Sequence, residues 1–177
     1  MAESVRTTDD TDMFNGSPDR YDWRLLGKKE LIVPYNCYAV GMPELSYDTI
    51  FTPFHLNPDF VRSEIHRVWV VEGTLKNDAS HIYEKRVFYI DEDSWGILMT
   101  ENYDKQGNLW RVGLSHTRNV YEAKGVMPFA DVIHDLKTDQ YNAKGFQNHA
   151  ESPGIFENEI PSAENYTPAA LRTKSHR

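Results

Sequence analysis

The sequence holds one cysteine, Cys37, so it can form neither an internal disulfide nor a cysteine-based zinc cage. Cys37 sits in Tyr35-Asn36-Cys37-Tyr38, a strand-like stretch without a neighbouring cation, and reads as an inert thiol rather than a nucleophile. Basic residues are also scarce. The 19 Lys and Arg against 27 Asp and Glu leave a formal charge of −8, which opposes binding to nucleic acid or anionic lipid. No apolar run approaches the roughly 18 residues needed to span a bilayer. Met1 to Asp12 lack the basic and apolar regions of an export signal, so the chain is expected to be cytoplasmic if complete as given, or to lack its beginning.

Motifs for common chemistry are missing as well. There is no phosphate loop, dinucleotide fingerprint or G-x-S-x-G elbow. The seven histidines show neither H-x-H nor H-x-x-x-H spacing. The acidic stretch Asp91-Glu92-Asp93 lacks the distal bidentate Glu of a calcium loop and reads as a hydrogen-bonded turn. No catalytic residue, metal or cofactor is therefore assigned.

What remains is a 177-residue chain, 40% apolar and 12% aromatic, long enough for one soluble domain with tails. Residues 1–20 are poor in large apolar side chains and read as an arm or surface loop, and residues 147–177, with Pro153, Pro161 and Pro168, as an extended tail. The domain, 21–146, contains short segments rich in β-branched and aromatic residues: 29–40, 64–75, 81–91, 95–103, 108–121 and 131–138. These predict an antiparallel β-meander. Asp91-Glu92-Asp93-Ser94 and Asp104-Lys105-Gln106-Gly107 read as hairpin turns. The only helical candidates are short, at 43–51 and after Asn57, where Asn57 can cap and Pro58 can occupy the first helical position.

Pairing Ile90 with Trp95, Tyr103 with Asn108 and Trp69 with Phe88 collects an apolar face for a hydrophobic ligand. Its candidates on the first strands are Trp69, Val71, Phe88, Ile90 and Trp95. Ile97, Met99, Trp110, Val112 and Leu114 continue it. Arg67, Glu84, Arg86 and Glu101 interrupt that face, and a charge there needs a partner. They hold either the polar head of an amphiphile or one another, as in an Arg86–Glu101 cross-strand pair.

Several stretches together resemble one family: Met13-Phe14-Asn15-Gly16 with Asp19-Arg20-Tyr21-Asp22-Trp23, Gly27-Lys28-Lys29-Glu30 through Asn36, and Asn57-Pro58-Asp59 leading to His66-Arg67-Val68-Trp69. His81-Ile82-Tyr83 through Asp93-Ser94-Trp95, and Tyr103-Asp104 with Gly107 and Leu109-Trp110-Arg111, extend the pattern. In these the chain resembles the bacterial domain-of-unknown-function family 1329, over about residues 4 to 146, while Thr167 to Arg172 resembles the family's C-terminal end. The resemblance implies an outer-membrane lipoprotein-sorting-like fold, that of the periplasmic lipoprotein carriers: an open half-barrel of antiparallel strands, roofed by helices, that holds acyl chains. It also implies export to the periplasm and a longer protein, of which this sequence resembles the C-terminal part. The family offers no catalytic residues to carry over.

The expected fold is mainly β, an antiparallel meander forming an open half-barrel with few short helices and extended tails. The expected function is a non-enzymatic periplasmic carrier of a lipid-like or other hydrophobic ligand, accessory to an outer-membrane or efflux pathway. The alternative is an interaction module whose apolar face is covered by a second copy, the missing N-terminal half or a membrane-exporter partner. An enzyme using His66 or His81 as base beside Glu84 is the third reading.

Overall fold

The computed structural model describes residues 5–150 and 162–174. Seven strands form one antiparallel sheet in sequence order: β1 (Tyr21–Pro34), β2 (Ser63–Leu75), β3 (Lys85–Asp91), β4 (Ile97–Tyr103), β5 (Leu109–Val120), β6 (Gly125–Asp135) and β7 (Gln140–Lys144). The sheet is not closed into a barrel, and helices are few: α1 (Tyr47–Ile50), α2 (Pro168–Lys174) and short 3₁₀ turns. The mainly β expectation therefore holds. The boundaries differ from the sequence reading in several places: β3 starts at Lys85 and not at 81, β4 at Ile97 and not at 95, and β6 runs Gly125–Asp135 in place of 131–138. β1 begins at Tyr21 and stops at Pro34, and β7 is an additional edge strand whose alternation, with Tyr141 and Ala143 turned to the core, spans only five residues. Pro153 and Pro161 lie outside the described residues, whereas Pro168 opens α2.

The sheet curls. After β1 the chain crosses to the fifth strand, where the Cys37 amide donates to the Thr117 carbonyl at 2.8 Å. The curl folds the inner face onto itself, so Val33 and Tyr35 pack with Val68 and Val70 of β2, Val87 and Tyr89 of β3, and Leu98 of β4. Fully burying such a side chain contributes about 1.5–3 kcal/mol. A second cluster forms where the β1–β2 connection, residues 35–62, lies over the far strands. Cys37, Val40, Ile50 and Leu56 bury there against Val132 of β6. This connection is the roof that the sequence leaves unassigned. Inside it, Asn57 caps the Pro58–Phe60 turn through its Oδ1, which accepts from the Asp59 amide at 3.1 Å.

Residues 5–20 cover the part of the outer face formed by β3 to β6, and ion pairs hold that cover in place. Asp10 is 1% exposed and Arg86 0%. The Arg86 guanidinium donates to Asp10 at 2.9 Å, to Asn102 at 2.8 Å and to the Met13 carbonyl at 3.2 Å. Tyr83 donates its hydroxyl proton to Asp10 at 2.9 Å and accepts from Arg111 at 3.1 Å, and Arg111 pairs with Asp135 at 2.9 Å. Met13 descends onto Gly113, where an added Cβ would lie 2.5 Å from the Thr100 hydroxyl and 3.3 Å from the Met13 sulfur. Phe14 meets Phe88 edge to face, 5.3 Å between ring centres. The segment read as an arm or surface loop thus contributes buried acid and apolar contacts.

Removing one member of a buried pair leaves the other charged and unsolvated. Arg86→Met should lower unfolding free energy by about 3–5 kcal/mol, and adding Asp10→Leu should restore most of it. Urea denaturation followed by tryptophan fluorescence measures both. A single variant within about 1 kcal/mol of the parent would remove Arg86–Asp10 as the fastener.

Candidate functional site

The expected single apolar face is divided between the two sides of the sheet, and the cause lies in the β3–β4 hairpin. Asp91 closes a longer turn than expected. Its amide donates to the Gly96 carbonyl at 2.9 Å, and its Oδ2 accepts from the Ser94 amide at 3.0 Å and hydroxyl at 2.6 Å. Trp95, with φ of 58°, is therefore a turn residue, 70% exposed, instead of the partner of Ile90. Ile90 pairs with Ile97, a slip of two that keeps the face, but a bulge then sets Tyr89 opposite Met99 and Phe88 opposite Thr100. The extra residue flips everything beyond it.

Trp69, Val71, Phe88 and Ile90 accordingly lie on the outer face, where Trp69 and Val71 pair with Ile90 and Phe88. Lys28 covers the Trp69 ring at 4.1 Å, and Phe88 is buried beneath Phe14. Met99, Val112 and Leu114 share the inner face, with Met99 opposite Leu114 and Glu101 opposite Val112. Trp110 joins neither group; its Nε1 donates to Asp135 at 3.0 Å between Arg111 and Lys137. The charged candidates also separate. Arg86 pairs with Asp10, Arg67 is exposed and pairs with Glu92 at 2.7 Å, and Glu101 accepts from Tyr103 at 2.7 Å. No Arg86–Glu101 pair forms, and Glu84 sits ahead of β3, hydrogen-bonded through its backbone to Leu75 and Tyr103.

The inner face retains a groove of about 390 Å³ between the roof and the sheet. Leu114 and Val132 form its floor, and Leu56 and Val61 come from the roof, with Ile32 at the end of β1. Among its lining residues the only ionisable side chains are His55, His116 and His134. His116 is 2% exposed and its Nδ1 has no hydrogen-bond partner. Burial pushes its imidazole down to about 4, and His134 adds to the effect. Burial also lowers His134, which stacks on Tyr141 with ring centres 5.6 Å apart.

The other histidines occupy different settings. His66 stacks on Tyr35 at 3.8 Å and meets Asp91 Oδ1 at 3.1 Å, whereas His81 meets Asp9 at 3.2 Å. Neither forms an ion pair with Glu84 among the described residues. His66, Asp91 and Asp93 form the one group among the described residues with the spacing for a metal ion, yet both Asp91 oxygens already serve the turn, Tyr35 and His66. Burial works against the Asp91 charge, but the Ser94 and His66 hydrogen bonds outweigh it and hold the carboxyl below its usual range. This cluster locks a hairpin.

The model of one family, described as a protein of unknown function (DUF1329), matches residues 1–172. The chain belongs to the DUF1329 family. The uncharacterized protein PA3922 of Pseudomonas aeruginosa is 44% identical over 176 residues, covering 99% of this chain. The DUF1329 chain spans 38% of that relative's length. A crystal structure of a DUF1329 family protein from Desulfovibrio piger matches 97% of this chain and 55% of its own, with TM-score 0.51 at 13% identity, a likeness of fold alone. A LolA superfamily protein, NE2245 of Nitrosomonas europaea, matches 97% of this chain and 59% of its own, with TM-score 0.49 at 15% identity. No helix among the described residues of this DUF1329 chain is long and apolar enough to cross a membrane.

Of the residues expected on the ligand face, Leu114 lines this groove, together with Val132, His55, His116 and His134, which the sequence does not single out. Roof residues carry no periodicity that would tie them to β6. The alternation of Val112, Leu114 and His116 with His134, Val132 and Ala130 is legible once β5 and β6 are paired. Because the fold holds His116 below its ordinary 6.5, the unfolded chain takes up the proton first. Stability should therefore fall as pH drops from about 6.5 to about 4 and stop changing on this account below that. The contribution is roughly 3 kcal/mol at about 1.4 kcal/mol per unit. Denaturation across this range should show a smaller decline in His116→Leu, and parallel curves for the two proteins would count against it.

Proposed function

We propose that the protein is a non-enzymatic binding or carrier protein for a lipid-like or other hydrophobic ligand in the periplasm, with the apolar part seated in the inner groove. The observation that carries this reading is the groove itself. It is roofed by the chain's own connection, floored by Leu114 and Val132, and its volume falls within the usual 300–1,000 Å³ of small-molecule sites. Each methylene buried there contributes about 0.8 kcal/mol, so a short alkyl chain suffices for binding. The outer candidates Trp69 and Phe88 are engaged by Lys28 and Phe14, which favours the inner face as the site. The periplasmic compartment and the class of ligand are those that the sequence resemblance to lipoprotein carriers implies.

Solvent extraction of purified protein followed by mass spectrometry is expected to yield a bound hydrophobe. Leu114→Arg should weaken uptake of a naphthylamine dye about tenfold or more, because it places an unpaired charge in the groove, while Trp69→Ala should leave uptake nearly unchanged. The opposite pattern would move the site to the outer face.

One observation favours a second reading. Ile32 and Ile65 pair across β1 and β2 and are 74% and 69% exposed, beside the unpaired edge of a 14-residue strand. Such a surface suits a second copy or another β-edge. Sedimentation velocity at micromolar concentration should then show a dimer that Ile65→Lys dissociates, and a monomer there would end this reading.

A further inference from the structure

We infer that the groove selects an amphiphile with one alkyl chain and a carboxylic-acid head, the head hydrogen-bonded at the histidines. This rests on the hydrophobic-ligand reading above and adds the class of headgroup. The groove's ionisable lining is entirely imidazole: no Asp, Glu, Lys or Arg lines it. A cationic head would meet no carboxylate there, and a phosphate dianion would meet no guanidinium or ammonium to neutralise it. A plain ester or hydrocarbon would leave the buried Nδ1 of His116 without a hydrogen-bond donor. A carboxylic acid answers each of these. Acid and imidazole share one proton, so the pair is net neutral as acid with imidazole or as carboxylate with imidazolium, and either form can be buried. His134 and His55 extend the same surface, and neither adds a negative charge that would repel the head.

Binding of palmitic acid and methyl palmitate is compared by displacement of a naphthylamine dye, using the whole chain at pH 7, with lysophosphatidylcholine as a third ligand. Palmitic acid should bind about tenfold or more tightly than its methyl ester, the scale of one hydrogen bond to a charged group. His116→Leu should abolish that preference, so that acid and ester bind within about twofold of each other. If His116→Leu does not fold, loss of part of the preference in His134→Leu serves in its place. Equal binding of acid and ester, or equal binding of lysophosphatidylcholine, overturns the headgroup inference and leaves the carrier reading standing. Displacement by none of the three overturns both.

Discussion

The buried pair of Arg86 and Asp10 is the contact on which the division of labour between the two sheet faces depends. Taking either charge out of water alone costs several kcal/mol, so the two are stable only together. Their union fixes the N-terminal segment across the outer face and brings Met13 and Phe14 down onto Gly113 and Phe88. Tyr83 relays the same network to Arg111 and Asp135, reaching from β3 to β6. The outer side of β3 to β6 is thereby filled with the protein's own polar and aromatic groups. Room for a ligand is left on the inner side, where the roof covers only part of β5 and β6.

The fold was legible because its signals are local. Turn chemistry at Asp91 and Asp104, with β-branched and aromatic runs between, suffices for an antiparallel meander. Which side each residue faces depends on a single count, and the β3–β4 bulge changes that count by one. Both Leu98 and Met99 pack into the inner core, and no residue there announces an irregularity as glycine would. From that point Trp69 and Phe88 part company with Met99 and Leu114. The β4–β5 hairpin carries its own bulge between Asn102 and Tyr103, but there turn and bulge together shift the pairing by two, so Val112 and Leu114 kept their expected side. Arg86 was rightly marked as a charge that needs a partner. That partner lies 76 residues away in a segment poor in large apolar side chains, which reads as an arm or surface loop, and no pattern along the chain links the two.

The groove was hidden for a related reason: its parts are contributed by four separated stretches. Histidines at positions 55, 116 and 134 share no sequence spacing, since metal and catalytic motifs are periodic within one element whereas this surface is assembled across β5, β6 and the roof. Burial keeps the His116 ring neutral at pH 7, which lets an apolar site contain polar atoms without a standing charge.

The roof's attachment also differs in kind from that of the strands. Residues 35–62 contribute no strand to the sheet; side-chain bonds pin them to the far edge, with Tyr141 donating to the Thr52 carbonyl at 2.9 Å and Asn148 donating to the Val40 and Met42 carbonyls at 2.9 Å each. At the near end, the Cys37 amide and the Tyr38 hydroxyl reach β5 at Thr117 and Asn119. Separating roof from sheet would break these pins and expose the Val40, Ile50 and Leu56 cluster, yet leave the ladder from β1 to β7 intact. The connection thus closes the groove without belonging to the sheet, held by these pins and by the buried Val40, Ile50 and Leu56 cluster against Val132, while the Arg86 network holds the N-terminal segment on the opposite face.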